Sequence, residues 1–177
     1  HAIRMSSNTS SDIRFENISI TNVTGYAINI SNATDIDLIN ISFVDSSNKI
    51  YISAPTHNAI TEYDLDNFSL EWTNEYGSIK YNNKSLNASG SNMSKVFYIG
   101  NNSAFVNASL DVSFNQSANI TLENILFSSP QIMVDYQDNG SFTECTDCTN
   151  LSYSGTTFLF NVTHFTNFTL QEAPAQA

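Results

Sequence analysis

The sequence predicts an all-β protein, in which short right-handed parallel β-helix coils are followed by an antiparallel β-sandwich-like module. Three observations lead to this fold class. An Asn-apolar-Ser core recurs at Asn17, Asn40 and Asn67, at spacings of 23 and 27 residues. Short strand patterns with Gly, Asn or Asp at their corners surround these cores. Helical patterns of apolar residues are hard to place anywhere in the chain.

The repeats are the segments DIRFENISI at 12–20, DIDLINISF at 35–43 and EYDLDNFSL at 62–70. Residues two apart share one face of a strand, so the apolar positions of each segment face inward. A single coil cannot bury that face alone, whereas stacked coils can. The predicted stacking places Ile13, Phe15, Ile18 and Ile20 on Ile36, Leu38, Ile41 and Phe43.

A second strand follows each of the first two repeats, as YAINIS at 26–31 and KIYIS at 49–53. The opening residues AIRMS align with AINIS, so we expect the chain to open in the middle of a coil. The apolar side chains of Ile3 and Met5 would then face an unfilled coil position. Either upstream coils or another copy of the protein would cover this end, and Ile3 and Met5 are the candidate assembly interface.

The patterns divide the chain into four segments: β-helix coils at 1–54, a third irregular coil with a β-hairpin at 55–97, an antiparallel β module at 98–170 and a tail at 171–177. In the second segment, FSLEWTNEYGSIKYNN predicts two strands around a Tyr-Gly turn, and LNASGSNMS predicts a loop. In the third segment, short strands such as KVFYI, AFVNASLDVSF and ANITLENILF alternate with turn residues.

Asparagine sequons are the main functional signal. Of the 24 Asn residues, 18 open an Asn-x-Ser/Thr triplet, whereas random placement of the 41 Ser and Thr would give about five or six. Strands with Asn and Ser outside and aliphatic residues inside explain part of this excess. They do not explain sequons in loop-like segments such as KSLNASGSNMSK and DNGSFT, which favour dense N-glycosylation of an extracellular or cell-surface protein. The candidate acceptors are Asn8, Asn17, Asn22, Asn29, Asn32, Asn40, Asn67, Asn83, Asn87, Asn92, Asn101, Asn107, Asn115, Asn119, Asn139, Asn150, Asn161 and Asn167.

The charge balance and the lengths of the apolar runs argue against nucleic acid and against membrane insertion. The chain has six Lys and Arg against 17 Asp and Glu, for a net charge of −11. So few cations cannot neutralise a row of phosphates, and we expect no nucleic-acid partner. No apolar run approaches the ~18–20 residues of a spanning helix, so we expect no membrane insertion of this chain.

Cys145 and Cys148 form the motif CTDC, for which a short-loop disulfide is the default in an exported protein. Half a zinc site is the alternative. It would need two further ligands, and His57 and His164 stand isolated without ligand spacing. We therefore expect a disulfide, with no metal and no cofactor.

An enzyme is the least favoured function, and we expect no catalytic residues. Glycoside hydrolysis needs two nearby carboxylates, which the acidic residues of the first two repeats could supply. Turn chemistry and a cross-coil ion pair between Arg14 and Asp37 explain those residues better. The aromatic residues Trp72, Tyr76 and Tyr81 could stack on sugars, although core packing is the better explanation.

The segments ANITL, VDYQDNGSFTEC and FNVTHFTNF, together with the repeats, carry a resemblance that spans roughly residues 1–170. The chain resembles the C-terminal part of secreted archaeal right-handed β-helix surface proteins of the NosD-like, carbohydrate-binding-and-hydrolase repeat group. The resemblance implies export, a β-helix and a β-rich terminal module, but no reaction. The expected function is a glycosylated structural protein of the archaeal cell surface, which assembles with other copies of itself head to tail into a filament. An adhesin or glycan-binding module of a larger surface protein is the alternative.

Overall fold

The protein is all-β, as the sequence predicts. The computed structural model describes residues 2–6, 12–44, 48–53, 59–81 and 85–174. Strands hold 62% of these residues and helix only 4%, in two single-turn 3₁₀ segments at Met93–Lys95 and Val112–Phe114. The strands form mixed sheets, in which parallel pairs lie towards the start of the chain and antiparallel pairs follow.

The first six strands pair in parallel and form two sets that share their last member. One set is β1–β3–β5–β6 and the other is β2–β4–β6. Each chain segment therefore contributes first to one set and then to the other, in the order that the repeats predict. The strands are β1 (Ile3–Ser6), β2 (Ile13–Thr21), β3 (Tyr26–Ser31), β4 (Ile36–Val44), β5 (Lys49–Ser53) and β6 (Ile60–Asn74).

The register of the first two repeats is the one that the apolar pattern predicts. Ile13 lies beside Ile36 and Ile20 beside Phe43, at an offset of 23 residues. The alignment of the opening residues is also confirmed, because Ile3 lies beside Ile28 and Met5 beside Ile30. Stacking of this kind buries the inward-facing Ile36, Leu38, Ile41 and Phe43 of the second repeat, whereas Ile13, Phe15 and Ile18 of the first repeat stay half-buried.

The third repeat is displaced from the predicted alignment. Leu38 lies beside Tyr63 rather than Leu65, and Ile41 lies beside Leu65 rather than Phe68. Register shifts interrupt the β4–β6 pair on both sides of Leu38, and these irregularities absorb the displacement. Leu38 is displaced by two residues and Ile41 by three, and both still lie beside a buried side chain, Tyr63 and Leu65 respectively.

Asparagine occupies one position of left-handed backbone conformation within each of the long strands β2, β4 and β6, and we call these positions corners. Asn17, Asn40 and Asn67 have positive φ angles of 57°, 51° and 53°, a region that asparagine tolerates better than other residues with a Cβ. The side chains of two corners are stacked, because Nδ2 of Asn40 donates a 2.7 Å hydrogen bond to Oδ1 of Asn17. The repeated Asn is thus required by the backbone at the same place in each repeat.

The predicted hairpin is present. β7 (Gly77–Lys80) pairs antiparallel with the end of β6 around a two-residue turn at Glu75 and Tyr76. Gly77 has a φ of 151°, and a Cβ there would lie 2.0 Å from the carbonyl oxygen of Thr121, so no other residue fits. The predicted loop LNASGSNMS is wrong in its first part, which forms β8 (Leu86–Ser91) against β6.

The remaining strands are antiparallel. One large sheet continues the parallel set in the order β6–β7–β11–β15–β14, and a five-stranded sheet has the order β13–β12–β16–β10–β9. The segment AFVNASLDVSF is not one strand, because it ends β10 and then forms a turn and the second 3₁₀ segment. The strands are β9 (Phe97–Gly100), β10 (Ser103–Val106), β11 (Ala118–Leu122), β12 (Pro130–Asp135), β13 (Thr143–Glu144), β14 (Thr149–Ser154), β15 (Thr157–Val162) and β16 (Asn167–Glu172).

An aromatic cluster packs the strands together. The rings of Phe97 and Phe114 are 4.8 Å apart, and Trp72 stacks on Phe97 at 5.2 Å. Tyr81 packs against both Phe rings and donates its hydroxyl proton to the carbonyl oxygen of Phe114 at 2.7 Å. Truncating a buried ring such as Phe114 to Ala would cost about 3–5 kcal/mol.

Candidate functional site

The sequon asparagines are accessible throughout the described part of the chain, where no acceptor Asn is buried. Asn8 and Asn83 lie outside the described residues. Six acceptors are half-buried, namely Asn29, Asn92, Asn107, Asn119, Asn161 and Asn167. The exposed acceptors are Asn17, Asn22, Asn32, Asn40, Asn67, Asn87, Asn101, Asn115, Asn139 and Asn150.

Hydrogen bonding distinguishes these acceptors, because a glycan replaces one of the two hydrogens on Nδ2. Asn161 uses both hydrogens, since its Nδ2 lies 3.0 Å from the carbonyl oxygen of Ala118 and 2.9 Å from Oδ1 of Asn119. Asn101, in the turn between β9 and β10, is exposed. Accessibility alone therefore does not make the sequons equivalent.

The sequons of the loop-like segments KSLNASGSNMSK and DNGSFT lie in different environments in the structure. Asn87 belongs to β8, and its Oδ1 accepts a 2.7 Å hydrogen bond from the backbone N–H of Asn67. Asn92 has a buried Oδ1 without a hydrogen-bond partner. Asn139 does lie in an exposed turn, where its Oδ1 accepts from the N–H of Ser141 at 2.9 Å. Among these three, the turn residue Asn139 has the environment that the sequence predicts.

Cys145 and Cys148 form a disulfide, with Cα atoms 5.5 Å apart. The side chain between them, Asp147, accepts hydrogen bonds from the hydroxyls of Tyr136 and Thr163. The Tyr136 hydroxyl is the main reason why the pKa of Asp147 lies below its usual value of 3.8. The Tyr136 bond and the disulfide hold this exposed turn from two sides.

His164 is not isolated, contrary to the sequence prediction. Its Nδ1 lies 3.6 Å from Oδ2 of Asp147, and its ring stacks on Tyr136 at 5.9 Å. His57 lies outside the described residues. The possible ligand atoms of Cys145, Asp147 and Cys148 lie within 4.8 Å of one another. The disulfide occupies both sulfurs, so this cluster offers a metal only Asp147 and the nearby imidazole.

The acidic residues of the repeats surround a single cation. The predicted ion pair is present, with NH1 of Arg14 3.4 Å from Oδ2 of Asp37. Arg14 also contacts Glu16 at 2.9 Å and Glu62 at 3.6 Å. All four side chains are at least 25% exposed, so solvent screens these pairs and each adds little to the stability of the fold.

Two of the three aromatic residues considered for sugar stacking are buried. Trp72 and Tyr81 are 3% and 1% exposed and belong to the aromatic cluster of the core. Tyr76 is 37% exposed at the hairpin turn. Sugar stacking by Trp72 or Tyr81 is therefore wrong, and core packing explains both residues.

The candidate assembly residues lie at an edge. Ile3 and Met5 are half-buried and pack against the core. Among the described strands, β1 pairs only with β3 and β2 pairs only with β4, so the other edge of each has no ladder partner. The opposite end of the large sheet is β14, which pairs only with β15 within the same residues.

The sequence pattern did not predict the polar cavity around Glu71. The hairpin turn indicates only one contact of this cavity, because it makes Glu71 and Lys80 cross-strand partners.

We found no match for this chain among protein-family models, curated proteins or solved structures. The resemblance to β-helix surface proteins therefore stays a prediction. The helices among the described residues are all too short or too polar to cross a bilayer.

Proposed function

We propose that the protein is a densely N-glycosylated structural protein of the cell exterior, which assembles head to tail with other copies of itself. The observation that carries the glycoprotein part is the accessibility of the sequons. Eighteen sequons is about threefold more than chance, and every acceptor Asn among the described residues is exposed or half-buried. Glycan acceptors must be accessible, and the described acceptors meet this requirement.

We propose further that the parallel strands are coils of a right-handed β-helix. Two parallel sets that alternate along the chain and asparagine corners at equivalent places support this architecture. Crossovers between parallel strands of one sheet are right-handed in nearly all proteins. Such coils bury apolar residues only by stacking, so their outermost member needs a cover.

The assembly part of the proposal concerns that outermost coil. Among the described residues, the outer edges of β1 and β2 leave backbone N–H and C=O groups without ladder partners, next to the half-buried Ile3 and Met5. A second copy supplies both backbone partners and apolar contacts by strand addition. The proposed other face is β14 of the C-terminal module, at the opposite end of the same sheet, where Leu151 is 48% exposed. A contact between two different faces propagates into a fibre.

Glycosylation is tested on protein purified from its natural source, by mass spectrometry of its peptides and of the intact chain. We expect glycan on most sequons. Bare Asn at most of these positions would refute the glycoprotein part. The intact mass also reports whether the native polypeptide continues upstream, in which case its own residues cover β1.

Assembly is tested by light scattering and electron microscopy of the native protein and of variants. Ile3→Asp with Met5→Asp should abolish large particles, and so should Leu151→Asp at the opposite edge. Val112→Asp is the control, because Val112 is 74% exposed and lies in the second 3₁₀ segment, outside β1, β2 and β14. A native protein that stays monomeric at every concentration excludes self-assembly.

A further inference from the structure

A cavity of about 160 Å³ opens among β3, β5, β6 and β7, and Tyr26, Lys49, Ser69, Glu71 and Lys80 line it. Two of the chain's six basic residues meet here, although the whole protein carries a net charge of −11. The strand register brings them together, because Lys49 pairs with both Tyr26 and Ser69 and Lys80 pairs with Glu71.

Glu71 is the centre of the cavity. Its Oε2 accepts a 2.6 Å hydrogen bond from the hydroxyl of Tyr26 and contacts Nζ of Lys80 at 3.0 Å. The carboxylate is only 19% exposed. Within the described ranges no donor contacts Oε1, so one carboxylate oxygen remains available to a ligand. The two existing contacts fix the orientation of that oxygen before a ligand arrives.

Lys49 contributes a positive charge to the cavity. Lys80 neutralises Glu71, whereas no carboxylate of the described residues lies within 4 Å of Nζ of Lys49. The cavity therefore has one positive charge in excess. Tyr26 also lines the cavity, and its ring packs against that of Tyr51 at a centroid distance of 5.3 Å.

We propose that this cavity binds one carboxylated sugar unit, such as a hexuronate. Lys49 pairs with the ligand carboxylate, the free oxygen of Glu71 accepts from ring hydroxyls, and Tyr26 contacts the apolar face of the ring. A simple anion such as acetate can pair with Lys49 but offers no hydroxyl to the free oxygen of Glu71. At about 160 Å³ the cavity is smaller than the roughly 300–1,000 Å³ of pockets for drug-sized ligands, which favours one sugar unit over a chain. This inference does not depend on the proposed glycosylation or assembly.

The test compares glucuronate, glucose and acetate as probes, with binding to the whole protein measured by calorimetry or ligand-observed NMR. We expect glucuronate to bind at least about tenfold more tightly than either of the other two, because only glucuronate uses Lys49 and Glu71 together. Acetate binding as tight as glucuronate would make this an anion site. Equal binding of glucose and glucuronate, or no binding of either, would also overturn the proposal.

Single substitutions test the roles of Lys49 and Glu71 in binding. Lys49→Gln should reduce glucuronate binding to the level of glucose, and Glu71→Gln should weaken both sugars. Lys95→Gln is the control, since it removes the same charge from an exposed 3₁₀ segment and should leave binding unchanged. Thermal unfolding of each variant verifies the fold. Equal losses in Lys49→Gln and Lys95→Gln would reduce the effect to net charge and refute the site.

Discussion

The hydroxyl of Tyr63 donates a 2.9 Å hydrogen bond to Oδ2 of Asp111, and the two residues are only 2% and 8% exposed. The bond joins β6 to the segment after β10, 48 residues further along the chain. Asp111 also accepts from the N–H of Ser113 and so begins the second 3₁₀ segment. One buried carboxylate therefore holds a turn in place against the parallel strands.

We expect Tyr63→Phe to lower the free energy of unfolding by about 1.5–3 kcal/mol, the usual range for a hydrogen bond to a charged group. The variant removes only the hydroxyl and leaves the ring packed against Phe114. Tyr98→Phe is the control, because Tyr98 is 58% exposed, and its change should stay within about 0.5 kcal/mol. Urea unfolding measures both, and equal changes would contradict the buried bond.

Alkaline pH should destabilise the protein through two tyrosines. Burial, and then a hydrogen bond to Glu71, raises the pKa of Tyr26 from 10.0 to about 12. Burial, and then Asp111, also raises the pKa of Tyr63. The folded protein keeps protons that the unfolded chain loses, so this stability is complete below about pH 10 and is lost as pH rises through about 12.

The measurement is the free energy of unfolding between pH 9 and about 12. Tyr26→Phe and Tyr63→Phe should each lose less stability across this window than the unchanged protein, because Phe has no proton to release. A variant whose pH dependence matches that of the unchanged protein would show that its tyrosine does not contribute.

Asn161 and Asn101 should differ in glycosylation. We expect Asn101 to carry glycan and Asn161 to be bare, since the Nδ2 hydrogens of Asn161 are both used within the sheet. Peptide mapping of the native protein compares them directly. Glycan on Asn161 with a bare Asn101 would be the opposite of this prediction.

Loss of the disulfide should have a modest effect. A loop closed by residues three apart removes little entropy from the unfolded chain, so Cys145→Ser with Cys148→Ser should cost about 2 kcal/mol. Hydrogen exchange should increase mainly in the turn around Asp147. Global unfolding of the double variant under native conditions would mean that the disulfide supports far more than this turn.

The sequence pattern predicted correctly the strand pairing that depends only on neighbouring repeats. The alternation of apolar residues gave the pairing of Ile13 with Ile36, because neighbouring repeats share one register. The same pattern missed the displacement at Tyr63, since that displacement arises from irregularities between β4 and β6. The polar segment 86–91 looks like a loop by composition, but pairing with β6 makes it a strand.

In the candidate sites too, contacts between adjacent repeats could be predicted, whereas contacts between distant segments could not. The Arg14–Asp37 ion pair followed from adjacent repeats. The approach of His164 to Asp147 could not be predicted, because it joins the segment after β15 to the turn before β14. Tyr26 and Glu71 meet across 45 residues for a similar reason, so the cavity that they line became evident only from the folded arrangement.

The long strand β6 makes ladders with β4, β5, β7 and β8. A stack held only by contacts between neighbouring coils can melt stepwise from a free end. Because β6 belongs to the parallel sets and to the antiparallel hairpin at once, it cannot detach without breaking pairs in both. The two halves of the chain should therefore unfold as one cooperative unit. Among the described strands, those with a single neighbour, which include β1 and β2 as well as β8, β9, β13 and β14, can open below the threshold of global unfolding.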